Sequence, residues 1–279
     1  MKKIIIITLF LVGCKSDQTR ENATWSFDSS TGNYIEWQSD NDFANEMTNA
    51  AFGHIYNIEF EKAVVFFEKA ISYDPSLFGP HVVLAGMAPA GSATEKMHID
   101  KAREKVANKN ETSKLFVSLL DLPRESRFWP LLGPNTHEKW AEMRAIEPKG
   151  KLIHFYYAFT IPGRDNKIKE LETLLNEIRD GVGDSKSLSV TGDHSYMEAP
   201  IVNVLGYMYY NKGDKEKAKL LFEEYIDLYP NGYNPYDSMG EFFFNEGDLE
   251  QSKVYYEKAI EKYFGATVAI ERLRELNKD

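Results

Sequence analysis

Near the C-terminus, apolar, small and polar positions repeat in step. Val202, Leu205-Gly206, Tyr209, Gly213-Asp214, Ala218 and Phe222 are matched, 34 residues later in each case, by Tyr236, Met239-Gly240, Phe243, Gly247-Asp248, Ser252 and Tyr256. Within each unit the apolar residues are spaced three and four apart, which predicts two helices, each buried on one side. The glycine-aspartate pair falls between them. Glycine takes the left-handed conformation that ends a helix, and aspartate caps the next one. Gly206 and Gly240 sit where the first helix comes closest to the second, facing the small residues Ala218 and Ser252, while Tyr209, Phe222, Phe243 and Tyr256 fill the space between helices. A third unit with Ala51, Ala63, Phe67, Ala70 and Pro75 keeps the same relative positions, with Ile58 where the turn glycine is expected.

Period and residue types together resemble the tetratricopeptide repeat, through residues 195–264 and, with fewer matches, 44–78. The resemblance implies an all-α, right-handed superhelical solenoid of helix pairs. Two departures carry expectations of their own. Tyr225 stands where the family has alanine, implying a splayed repeat, and Phe264 where it has proline, letting the last paired helix run on. The terminal prolines extend the frame through the middle of the chain. Pro75 to Pro148 spans two repeats plus five residues, and Pro148 to Pro230 two repeats plus fourteen. The larger surplus matches the polar stretch 181–194, and the smaller a loose region with Pro89, Pro123, Pro130 and Pro134. About six pairs follow, closed by a half-polar helix from Ala266 to Asn277 that turns Val268, Leu273 and Leu276 toward the last core face.

The N-terminus follows another pattern. Lys2 and Lys3 precede an apolar run, Ile4 to Val12, and Leu11-Val12-Gly13-Cys14 places a small residue before the chain's single cysteine. The run is too short to cross a bilayer and reads as a signal peptide. It resembles the lipobox of bacterial lipoproteins, which implies cleavage after Gly13 and lipidation of Cys14. Residues 1–13 are then the signal peptide, 14–40 a lipidated tether and 41–279 the repeat domain. In the resembled family Lys15, in place of aspartate after the cysteine, favours the outer membrane over retention in the inner one. Trp25, Phe27, Tyr34 and Trp37 are expected to dock the far end of the tether onto the first helix.

Charge and chemistry narrow the function. Loss of Lys2 and Lys3 with the signal peptide moves the formal charge from −10 to −12, which opposes nucleic acid binding. No catalytic or nucleotide-binding motif is present, and the six histidines have no helical metal-ligand spacing. No enzyme, cofactor or metal is expected, and His81 and His154 read as core residues. The inner wall of such a solenoid is lined by the first helix of each pair. In this frame the lining is Thr48, Phe52, Ile55 and Tyr56, then Asn203, Tyr207, Tyr210 and Asn211, then Asp237, Glu241, Phe244 and Asn245. Repeat proteins that clamp a partner's C-terminal carboxylate carry Lys, Arg and Asn there, so Asp237 and Glu241 argue against a clamp. Rings and acids suit a peptide with a basic residue and an apolar anchor. The expected function is a membrane-anchored adaptor holding a protein or peptide partner. Two alternatives stay open: an assembly subunit resembling the lipoprotein of the β-barrel assembly machine, and a glycan or nutrient binder.

Overall fold

The computed structural model describes residues 35–125, 129–133, 135–148, 150–180 and 195–278. Cys14, Trp25, Phe27, Tyr34 and the 181–194 stretch lie outside the described residues. The described residues form an α-solenoid without strands. Six helix pairs follow one another: α1 (Asp42–Tyr56) with α2 (Phe60–Tyr73), α3 (Gly79–Met87) with α4 (Ala93–Lys105), and α5 (Glu111–Ser118) with α7 (His137–Ile146). Then come α8 (Lys151–Thr160) with α9 (Arg164–Arg179), α10 (Ser195–Lys212) with α11 (Lys215–Leu228), and α12 (Asn234–Glu246) with α13 (Leu249–Lys262). A single helix, α14 (Thr267–Leu276), caps the array. The third pair is interrupted by a 3-10 turn at Leu119–Asp121 and the short α6 (Trp129–Leu132), in the proline-rich region that accounts for the smaller surplus.

The local chemistry follows the sequence pattern closely. Asp214 and Asp248 accept hydrogen bonds from the backbone N–H groups of Lys217 and Gln251, and Asn41, Ser92 and Asn110 cap α1, α4 and α5 in the same way. Gly213 and Gly247 adopt φ of +96° and +82°. Ile58 does so too, at +61°, a conformation in which a β-branched residue is strained. A Cβ on Gly206 would lie 2.7 Å from the Phe222 ring, and one on Gly240 2.8 Å from Tyr256. Ala218 and Ser252 are fully buried opposite them, and the Ser252 hydroxyl donates to the Gly240 carbonyl at 2.9 Å.

Two expectations about the end of the array do not hold. Helix α13 stops at Lys262 and leaves Phe264 exposed, because the chain turns at Tyr263 to lay α14 back over the core. On α14 it is Ala269, with Leu273 and Leu276, that faces the core, while Val268 is exposed.

Aromatic rings link the first, third and fourth pairs through a circuit that no repeat frame predicts. Trp37 meets Phe52, Phe52 stacks on Tyr56, Tyr56 meets Tyr156, Tyr156 stacks on Trp140, Trp140 meets Phe116, and Phe116 stands edge-on to Trp37, with centroids 4.4 to 6.1 Å apart. Such pairs contribute beyond the area they bury. Trp37 of the expected tether does dock on the first helix, and α5 shares the contact.

Candidate binding face and the seam behind it

In the C-terminal part of the expected lining the side chains of α10, α12 and α14 meet on one face, with Asn203 and Asp237 buried in it rather than exposed. Tyr207 and Glu241, one repeat apart on α10 and α12, meet directly, the Tyr207 hydroxyl donating to the Glu241 carboxylate at 2.7 Å. Tyr210 donates to Glu246 at 2.9 Å, and Lys215 pairs with the same carboxylate at 2.8 Å. The Arg272 guanidinium of α14 lies over the Phe244 ring, 5.0 Å from its centroid, and Asn211 and Asn245 are exposed at the rim. Arg272 was not among the expected lining. Its only sequence signal was a charge run on the capping helix, which reads as a solvated surface.

Deeper in this face sit two polar side chains at equivalent repeat positions. Asn203 is fully buried, and neither atom of its amide finds a partner among the described residues. Asp237 is 8% exposed, and one of its carboxylate oxygens is likewise unpartnered there. Burial, then the nearby Glu241 and Glu61 charges, push the Asp237 carboxyl up to about 7, with Arg272 opposing. A buried acid in this state costs stability when it ionises, and such groups concentrate at functional sites. Because the folded-state value lies above the ordinary carboxylate range, Asp237 favours folding only at low pH, and that contribution is lost as pH rises through about 7. Asp237→Asn is therefore expected to be near neutral at pH 4 and to stabilise the fold at pH 8 by about 1 to 2 kcal/mol, allowing for Arg272 and local water entry. Melting curves of both proteins at the two pH values check this; an equal difference at both would contradict it.

The N-terminal part of the expected lining is not open. Thr48, Phe52, Ile55 and Tyr56 are all buried. Phe52 is covered by Trp37, and Tyr56 packs against Phe155 and Tyr156 of α8. The run of pairs also turns back so that the turn after α1 and the start of α2 meet the last pairs and the cap.

The seam is organised by Glu59, whose side chain is completely buried in the turn before α2. Its carboxylate accepts from His54 Nδ1 at 2.8 Å, Lys62 Nζ at 2.9 Å, the Tyr229 hydroxyl at 3.2 Å and the Tyr233 backbone N–H at 2.8 Å. An ionised carboxylate only accepts, so the His54 Nδ1 carries the proton. Burial works against ionisation, but the His54 hydrogen bond and the Lys62 ammonium outweigh it and hold this carboxyl below its ordinary value. Around it, Tyr225 donates to Asn57 at 3.1 Å and accepts from Asn234, and Tyr233 donates to Glu61 at 2.7 Å. Thr267 of the cap donates to Glu61 at 3.1 Å. The Tyr225 hydroxyl reaches across to the first pair, a task alanine could not perform. Ile58 holds its strained turn between the two seam residues Asn57 and Glu59.

The buried histidines behave as core groups. His81 and His98 approach through their Nδ1 atoms at 2.8 Å, and His154 bonds Glu170 at 2.8 Å. Among the described residues no three His, Cys, Asp or Glu side chains converge as metal ligands would.

Comparison with known proteins agrees with the geometry of the clear pairs. Family models described as "Tetratricopeptide repeat" match residues 205–232 and 233–261. No curated protein matches the chain. Among solved structures, the one described as "Crystal structure of MamA protein" aligns with 79% of this chain and 92% of that chain, at 15% identity and a TM-score of 0.33. Two matched units in tandem show that residues 205–261 of this protein are tetratricopeptide repeats.

Proposed function

We propose that this protein is a lipid-anchored scaffold of the bacterial envelope that holds a protein partner by a basic segment laid against α10, α12 and α14. Tetratricopeptide repeats support a protein or peptide partner. The observation that carries the finer reading is the acid pair Asp237 and Glu241, one turn apart on α12, with one Asp237 oxygen unpartnered and Phe244 beside it. A lysine or arginine of the partner would supply the missing charge, and its stem or an adjacent apolar residue would cover the rings. The anchor rests on the lipobox resemblance at Cys14, and Lys15 favours the outer membrane. No helix among the described residues is long and apolar enough to cross a bilayer.

Glu241→Lys tests the face. The new ammonium repels a basic segment and, one turn from Asp237, offsets the repulsion there, so loss of binding and loss of fold are separable. A panel of lysine- and arginine-bearing peptides is expected to bind at least about tenfold more weakly, a change of about 1.4 kcal/mol, with no fall in melting temperature. Unchanged affinity would place the partner elsewhere. Tyr207→Ala is a poorer probe, because that ring packs edge-on against Phe222 at 5.0 Å.

The anchor has its own test. Cys14→Ala removes the thiol that acylation requires, and the protein is expected to leave the membrane fraction or to remain unprocessed. Normal processing with full membrane retention would rule out lipidation at that residue.

A further inference from the structure

Residues 35–39 are neither helix nor part of a repeat. They form an irregular segment turned at Glu36, where the Trp37 N–H donates to the Ile35 carbonyl at 3.0 Å, and in it Ile35 and Trp37 are buried while Glu36 and Gln38 are half-buried. Burial of both apolar side chains seats the segment on a surface. The surface is made by the first helices of the first three pairs. The Trp37 ring rests on Phe52 of α1, at 4.4 Å, and edge-on against Phe116 of α5, at 5.7 Å. Gly79, at the start of α3, floors the slot; a Cβ there would come within 3.0 Å of the Trp37 Cβ. Polar contacts fix the register. The Glu36 backbone N–H donates to the Ser113 hydroxyl at 2.7 Å, and the Glu36 carboxylate accepts from the Asn110 backbone N–H at the positive end of α5, at 2.9 Å.

We infer that this slot between α1, α3 and α5 is a recognition site for a short turned segment reading aliphatic, acidic, tryptophan, and that the chain's own Ile35-Glu36-Trp37 occupies it as a detachable internal ligand. The placement explains why Phe52, at a position expected to face a partner, is buried. Each element of the site is of a kind that reads a ligand: a ring slot floored by glycine, a hydroxyl meeting a backbone N–H, and a helix start meeting a carboxylate. A partner presenting the same triplet competes with the internal segment, and its apparent affinity falls by the fraction of chains in which the slot is empty. The site is separate from the acidic face on α12, and the inference does not depend on that face binding anything.

The test uses the full chain in detergent and a fluorescent peptide of the sequence of residues 34–40, with a control peptide in which the tryptophan is alanine. Trp37→Ala vacates the ring slot. The peptide is expected to bind this variant more tightly than wild type by at least about tenfold, and the control peptide to lose that gain. Equal binding to both proteins, or no binding to a variant that retains its helical circular dichroism, overturns the inference. Should Trp37→Ala fail to fold, Glu36→Ala keeps the ring in the circuit and removes the carboxylate anchor. It is expected to show a smaller gain in the same direction, and an affinity no better than wild type overturns the proposal.

Discussion

Glu59→Ala is expected to lower the free energy of unfolding by about 3 to 5 kcal/mol, the usual result of removing one partner from a buried ionic network. The substitution strands the Tyr233 backbone N–H, which is buried, and releases His54, Lys62 and Tyr229 from their shared acceptor. For a domain of this size the loss corresponds to a fall of roughly 10 °C in melting temperature. The effect should be spatially split. Amide exchange is expected to accelerate both in the turn between α1 and α2 and in the turn between α11 and α12, although the two are far apart in sequence. Its pH dependence has a definite sign. With the folded-state carboxyl held below its ordinary value, the stabilisation is complete above the ordinary carboxylate range and is lost as pH falls through it. The wild-type advantage over Glu59→Ala should therefore shrink in acid. A variant that melts within about 1 °C of wild type at neutral pH, below the shift that even 1 kcal/mol would produce, would mean that the seam is a contact without energetic weight.

Gly206→Leu and Gly240→Leu are expected to cost about 3 kcal/mol or more each, the upper end for overpacking. A single added carbon already falls 2.7 Å from Phe222 in one case and 2.8 Å from Tyr256 in the other. Both rings are fully buried, so neither can swing aside into solvent. The helices must separate, which exposes the small residues Ala218 and Ser252 and breaks the Ser252 bond to the Gly240 carbonyl. Lys212→Ala, at the end of the same helix as Gly206, removes only an exposed pair with Asp165 and should stay within about 0.5 kcal/mol. Urea denaturation of the three variants checks the contrast. Equal midpoints would refute the close approach of the paired helices.

What could be read from the residues alone was the unit and its number. Gly206, Gly213-Asp214, Ala218 and Phe222 with their counterparts 34 residues on specify one helix pair by short-range rules, since glycine turns, aspartate caps and small-on-large contacts all operate within a repeat. Six pairs and a cap followed from the spacing of Pro75, Pro148 and Pro230. The same frame put Tyr207 and Glu241 at equivalent positions of one lining, and the structure brings them into contact. It could not tell that Thr48, Phe52 and Tyr56, at the equivalent positions of the first pair, would be buried. Their fate depends on Trp37, which precedes the first helix, and on Phe155 and Tyr156, which lie three pairs further along the chain.

Closure of the array was decided by tertiary structure, through groups 168 to 206 residues apart: Asn57 with Tyr225, Glu59 with Tyr229 and Tyr233, Glu61 with Tyr233 and Thr267. Such contacts leave no periodic trace. A tyrosine in place of alanine at 225 looks like a defect of one repeat until Asn57 stands opposite it, and a glutamate at 59 looks solvated until four donors surround it. A repeat pattern reports what each unit does to its neighbour, a local energy that recurs. The curvature that brings the first unit against the last accumulates over all of them, and the residues that meet there are set by its total, which no single repeat contains.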